Sequence, residues 1–276
     1  MQNRNTVASL SIKQLLLIIL LSSAYCFPGM TFANTPHWQT SSYIAKSFAE
    51  IALHSKSRSE TKRIIKWEKG INYYFDHRFP ERTLNEQLTG LHIQHLSNIT
   101  GVKMKHTKRR SNANLVIIFS KEKNMVRDFT HSAGLKSTPA INRLIRKNVC
   151  LAYTSYSSSG KIHHATVLVA VDKAREAAGL ISCIVEELSE IMGLPNDSQK
   201  VYPSIFNDYS TDALLTGLDY LMLKILYDKR IKAGMTKHQM MPIVNKIIAE
   251  LRRSNIIRTA EKEVKKGGLY ALMYST

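Results

Sequence analysis

Acidic residues, cysteine and long apolar runs are all scarce in this chain, and each shortage narrows what it can be. Asp and Glu total 21 against 39 Lys and Arg, a formal net charge of +18 over 276 residues. A surface that basic attracts polyanions. Cysteine occurs only at positions 26, 150 and 183. The apolar run Leu15–Leu21 falls well short of the ~20 residues a spanning helix needs, and no other stretch is apolar enough to cross a bilayer. No internal repeat or low-complexity tract is present, so solenoids and fibrous arrays are excluded.

The first 33 residues set the compartment. Arg4 and Lys13 are their only charges, and Lys13 is followed by the apolar core at 15–21 and then small residues. That pattern predicts a secretory signal peptide, cleaved near Ala33, with Ala24 as a second cleavage point. Export is expected, leaving a periplasmic or extracellular protein with no membrane span. Loss of Arg4 and Lys13 takes the net charge from +18 to +16, and loss of Cys26 leaves the pair Cys150 and Cys183. In an oxidising compartment such a pair is expected to form a disulfide. The ~240 residues that remain suffice for one large domain or two intimate lobes.

Residues 34–60 are polar, with a short helical stretch near 43–54. The stretch from Ile64 to Phe75 is rich in β-branched and aromatic residues and predicts strand. Leu84, Leu88, Leu91 and His95 recur at helical spacing over 83–99, with Thr83 as the cap ahead of Glu86 and Gln87. The continuous run 115–119 is expected of a strand buried on both faces. Apolar segments on either side of Ser157-Ser158-Ser159-Gly160 predict a hairpin over 149–171. Helices are predicted over 177–192 and 212–227. A third, to about Arg253, opens on a Thr236–Gln239 capping box, and Pro242 predicts a kink or a late start in it. The order predicts an α+β fold: a mixed sheet, a helix of active-site type, and a helical C-terminal lobe across a cleft.

The segment 186–197 carries the chemistry. In zinc proteases of the H-E-x-x-H-x-x-G-x-x-H type, two histidines one turn apart face the metal, a glutamate polarises the attacking water, and a glycine turns the chain towards a third ligand. Here Glu187 falls on the base position and Gly193 on the turn, while Glu186, Glu190 and Asn196 occupy the three ligand positions. Zinc prefers nitrogen or sulfur in such sites, and oxygens suit a hard cation such as calcium or magnesium. No metal or other cofactor is therefore expected, and Glu186, Glu190 and Asn196 are the weak candidate ligands should a cation bind. Without one, carboxylates crowded on one turn should raise at least one pKa. His163 and His164 point to opposite faces of their strand, so at most one looks into a cleft. Residues 101–147 hold twelve Lys or Arg against Glu122 and Asp128 alone. No aromatic stacking platform flanks this patch, so specific nucleic-acid recognition is not expected.

The fuller pattern extends beyond this helix. Glu186-Glu187, the run Gly193-Leu194-Pro195-Asn196-Asp197, the run Ser204-Ile205-Phe206-Asn207-Asp208, Asp219, Leu226-Tyr227-Asp228 and Gly234-Met235 together resemble a bacterial family called domain of unknown function 2927. The resemblance spans roughly 60–250, with its specific motifs in 183–235. It implies an exported protein of zincin-like fold, a metalloprotease plan without the histidines, and no established activity. It also implies that Cys150 and Cys183 are paired. Glu190 stands where many members are expected to carry Gln. By analogy Met235 could lie beneath the site as a methionine turn, though a core methionine is the simpler expectation. The expected organisation is a signal peptide (1–33), an N-terminal extension (34–60), the zincin-like domain (61–253) and a basic C-terminal tail (254–276). Three functions compete. The first is a degenerate metalloprotease-like binder of a peptide or cell-envelope polymer, using the hairpin edge. The second is an envelope hydrolase with Glu187 as general base. The third is an adaptor docked on anionic envelope material through 103–110.

Overall fold

Alternate residues of the run 115–119 point into two different cores, and the molecule is organised around that alternation. The computed structural model describes residues 35–54 and 62–274. The expected signal peptide, with Cys26, lies outside the described residues. The chain divides between Thr35 and Pro36, and every helix and strand named below belongs to the unit from Pro36 onward.

The first half contains α1 (Ser41–Ala52), β1 (Leu53–His54), β2 (Arg63–Ile64), β3 (Lys66–Trp67), β4 (Ile71–His77), α2 (Arg82–Thr100), β5 (Met104–His106), β6 (Leu115–Ser120), α3 (Met125–Ala133) and α4 (Pro139–Lys147). Then come β7 (Cys150–Tyr156), β8 (Lys161–Ala170), α5 (Val171–Glu176), α6 (Leu180–Glu190), α7 (Gly217–Leu226), α8 (Lys237–Arg253), α9 (Ile256–Val264) and α10 (Tyr270–Tyr274). Strands β3, β8, β6, β4 and β5 lie side by side in parallel pairing, and β7 joins β8 antiparallel. Strands β1 and β2 make a separate antiparallel pair. Parallel neighbours cannot be joined by a tight turn, and α2 supplies the crossover from β4 to β5.

Leu115, Ile117 and Phe119 enter the larger core with Phe48, Ile184 and Leu221, while Val116 and Ile118 enter the smaller one with Met125, Phe129 and Ile145. Helices thus cover both faces of β6, which is why its sequence lacks polar alternation. The 149–171 hairpin is present as β7 and β8.

Several local expectations change. The stretch 64–75 is three strands, not one, broken at Ile65 and at Glu68–Gly70. Thr83 does not cap α2. Its cap lies two residues earlier, at Glu81, which is left-handed and held by Arg175, and Glu86 is drawn away to His77 Nε2 at 2.6 Å. The helix expected from 177 starts at Leu180, because Ala178 (φ 53°) and Gly179 break the chain after α5. The helix expected from 212 begins at Gly217, where Thr216 and Asp219 form a capping box. The Thr236–Gln239 box opens α8, which runs through Pro242 to Arg253. Residues 34–60 and 254–276 are more than extension and tail: Ile44, Phe48 and Ile51 from one, and Ile257, Ala260, Val264 and Leu269 from the other, are buried in the larger core.

Candidate functional site: a carboxylate cluster beside an edge strand

Helix α6 is fastened on several sides. Cys183 is bridged to Cys150 at the start of β7, with Cα atoms 5.7 Å apart. His92 of α2 meets Ser189 Oγ at 3.2 Å. At the C-terminal end, Trp67 Nε1 donates to the Ile191 carbonyl at 2.7 Å and the Tyr227 hydroxyl to that of Met192 at 2.8 Å. The next turn passes so close to the segment 64–67 that a Cβ on Gly193 (φ 109°) would lie 2.1 Å from the Ile65 carbonyl oxygen. Only glycine accommodates both the conformation and the approach.

One helical turn separates Glu186 from Glu190, which places them on one face. The returning loop brings Asp197 to them, and one carboxylate oxygen from each of the three lies within 4.8 Å of the others. The carboxyl of Glu187, a residue 7% exposed, has no hydrogen-bond or ionic partner among the described residues. Asp208 adds its negative charge from the loop ahead of α7. None of the ion pairs among the described residues includes any of these five carboxylates, although the chain abounds in Lys and Arg.

The consequence is proton retention. Burial, reinforced by Asp197 and Asp208, raises Glu186 to about 7. Burial, with Asp197 and Glu186, raises Glu190 to about 8. Glu187 is pushed well above the carboxylate range by burial and then by Glu190, Glu186 and Asp197. Asp197, at the exposed rim, is raised by partial desolvation and then by Asp208. Both a low-dielectric setting and crowded like charges disfavour the ionised forms.

A cleft of about 550 Å³ adjoins this cluster, lined by Ile65, by 152–156 of β7, by Glu190 and by Pro195. Strand β7 pairs only with β8 among the described residues, so its other edge faces no strand. The hairpin is legible in the sequence, but Tyr153, Thr154, Ser155 and Tyr156 become a cleft wall only when Ile65, Glu190 and Pro195 are brought beside them.

Other singled-out residues serve the scaffold. The Asn196 amide donates to the carbonyls of Ile51 and Leu53, each at 2.8 Å, closing the end of α1. The third carboxylate of the trio thus comes from Asp197, one residue beyond the position that the protease spacing marks. Asn207 donates to the Val201 carbonyl and accepts from the Tyr209 amide. Buried Asp219 accepts from Ser204 Oγ and from the amides of Ile205 and Thr216, tying the 204–208 motif to α7. Met235 packs on the larger core, and its carbonyl accepts from the Ile64 amide. His163 is exposed, His164 is half-buried with Arg110 among its nearby charges, and neither joins the trio.

The zinc that a metalloprotease plan implies does not fit these residues. The trio offers oxygens only, and Asn196, whose NH2 group donates to α1, could add only another oxygen. Glu186, Glu190 and Asp197 form a donor set suited to a hard cation. A search of curated proteins returns no match to this chain. A family model matches residues 41–246, and the chain belongs to the family described as "Protein of unknown function (DUF2927)".

Proposed function

We propose that this is an exported, zincin-like protein that binds an extended peptide, free or as part of a cell-envelope polymer, along the outer edge of β7. The observation that carries the reading is the outer edge of β7 over 151–155, which pairs with no strand among the described residues and lines a cleft of about 550 Å³ that reaches Glu190. An added strand gains main-chain hydrogen bonds from such an edge, and side-chain pockets give it specificity. A cationic group on the ligand would meet the carboxylates, relieving their mutual repulsion. The antiparallel edge strand leading through a hairpin to a glutamate-bearing helix supports the metalloprotease ancestry. Export is supported by the N-terminal pattern and by the Cys150–Cys183 bridge. Equilibrium binding to a mixed library of lysine-containing decapeptides tests the proposal. Wild type should select a subset, and Glu186→Gln/Glu190→Gln should lose most of the affinity for it. Equal binding by both proteins would contradict the role given to the carboxylates.

A second reading has its own observation. Glu187 is a buried, proton-holding carboxyl on the helix position that serves as base in metalloproteases. In a hydrolase of envelope substrates it would enter the reaction protonated, as a general acid, and return as the base. If Glu187→Gln leaves hydrolysis of every envelope fraction unchanged, this reading fails.

A further inference from the structure

We propose that a second cleft, between the 66–70 segment, the 100–103 loop and the 227–232 loop, is a binding site for a compact anion rich in phosphate oxygens. The cleft measures about 600 Å³ and is lined by Lys66, Lys69, Lys103, Lys229 and Lys232, with Glu68 as its one acidic residue. Three segments far apart in sequence therefore deliver five ammonium groups to one concavity. Like charges gathered on one shallow cleft raise the local concentration of anions.

The local carboxylates do not neutralise it. Glu68 is engaged by Lys161 Nζ at 2.8 Å, and nearby Asp228 is clamped by Arg230 at 2.9 Å. Lys69, Lys103, Lys229 and Lys232 are exposed and belong to no ion pair among the described residues. Lys66 is different in kind. It is buried, donates from Nζ to the carbonyls of Leu226 and Ile231, and sits 4.7 Å from the centre of the Tyr227 ring. One buried, hydrogen-bonded cation and four exposed ones suit a ligand with several anionic oxygens. The volume is that of a small-molecule site and far exceeds a single phosphate. A sugar phosphate or polyphosphate and an anionic lipid headgroup share this chemistry.

The test uses the full mature chain with two probes: tripolyphosphate in calorimetric titration, and phosphatidylglycerol vesicles in co-sedimentation. Lys69→Gln/Lys103→Gln/Lys232→Gln removes three exposed cleft charges and leaves Lys66 to its structural contacts. Lys105→Gln/Lys108→Gln/Arg109→Gln removes three exposed charges outside the cleft lining and controls for net charge. The cleft variant should bind about tenfold more weakly, and the control within about threefold of wild type. Cleft-dependent binding of tripolyphosphate supports a soluble phosphate polyanion; cleft-dependent binding of vesicles alone supports a lipid headgroup. Equal losses in the two variants, or no saturable binding of either probe, would overturn the proposal.

Discussion

Replacing Glu190 with its neutral isostere should make the metal-free protein more stable at neutral pH, an unusual outcome for a substitution at a candidate site. The carboxyl ordinarily ionises near 4.5 and is held up at about 8 by burial and by Asp197 and Glu186. The folded chain therefore keeps a proton that the unfolded chain releases. Its contribution is fully present below pH 4.5 and is lost as pH rises towards 8. At about 1.36 kcal/mol per pKa unit, the deficit at pH 7 reaches ~3 kcal/mol. Glu190 is partly exposed and shares its titration with its neighbours, so ~1–3 kcal/mol is the expected gain for Glu190→Gln. For a chain of this size that corresponds to roughly 3–10 °C in Tm. The assay is denaturation of both proteins in chelator at pH 5 and pH 7.5. Groups elsewhere titrate identically in both proteins and cancel in the difference. A variant no more stable than wild type at pH 7.5, or a difference that does not shrink at pH 5, would refute the like-charge account of this cluster.

Other outcomes rest on the same geometry. Removing both Cys150 and Cys183 reopens a loop with a sequence separation of 33, costing about 3–4 kcal/mol on the chain-entropy model; urea denaturation with and without reductant measures it. Gly193→Ala places a Cβ against the Ile65 carbonyl at a positive φ and should cost roughly 2–4 kcal/mol, read as a lowered Tm. Buried His92 and His95 are depressed to about 3 and about 4, mainly by burial, so their stabilisation is present above 6.5 and lost as pH falls towards those values. Acid titration of stability below pH 6.5 should therefore be steep in wild type and shallower in His92→Gln. Any rise in Tm that a divalent cation gives wild type at pH 7.5 should be absent from Glu186→Gln/Glu190→Gln; stabilisation by zinc and not by calcium would contradict an oxygen-only donor set.

The parts of the molecule legible in the sequence were those with strong local signatures. The 115–119 run, the serine-rich hairpin turn and the Thr236–Gln239 box each encode their element within a few residues. The protease-like spacing likewise located the carboxylates of α6, because i, i+4 periodicity fixes a shared helix face. What local reading missed depends on contacts between distant segments. Glu86 abandons its helix terminus for His77, and Asn196 turns to α1 rather than into the cluster. The cleft wall on β7 and the meeting of lysines from 66, 103 and 229 exist only once three chain segments have been brought together.

Amide hydrogen exchange across β7 tests the proposed function most directly. If a peptide adds to the free edge of the strand, a selected library peptide should slow exchange at amides within 151–155 and leave β5, the edge strand at the other side of the sheet, unchanged. Protection absent from 151–155, or appearing at β5 instead, would contradict it.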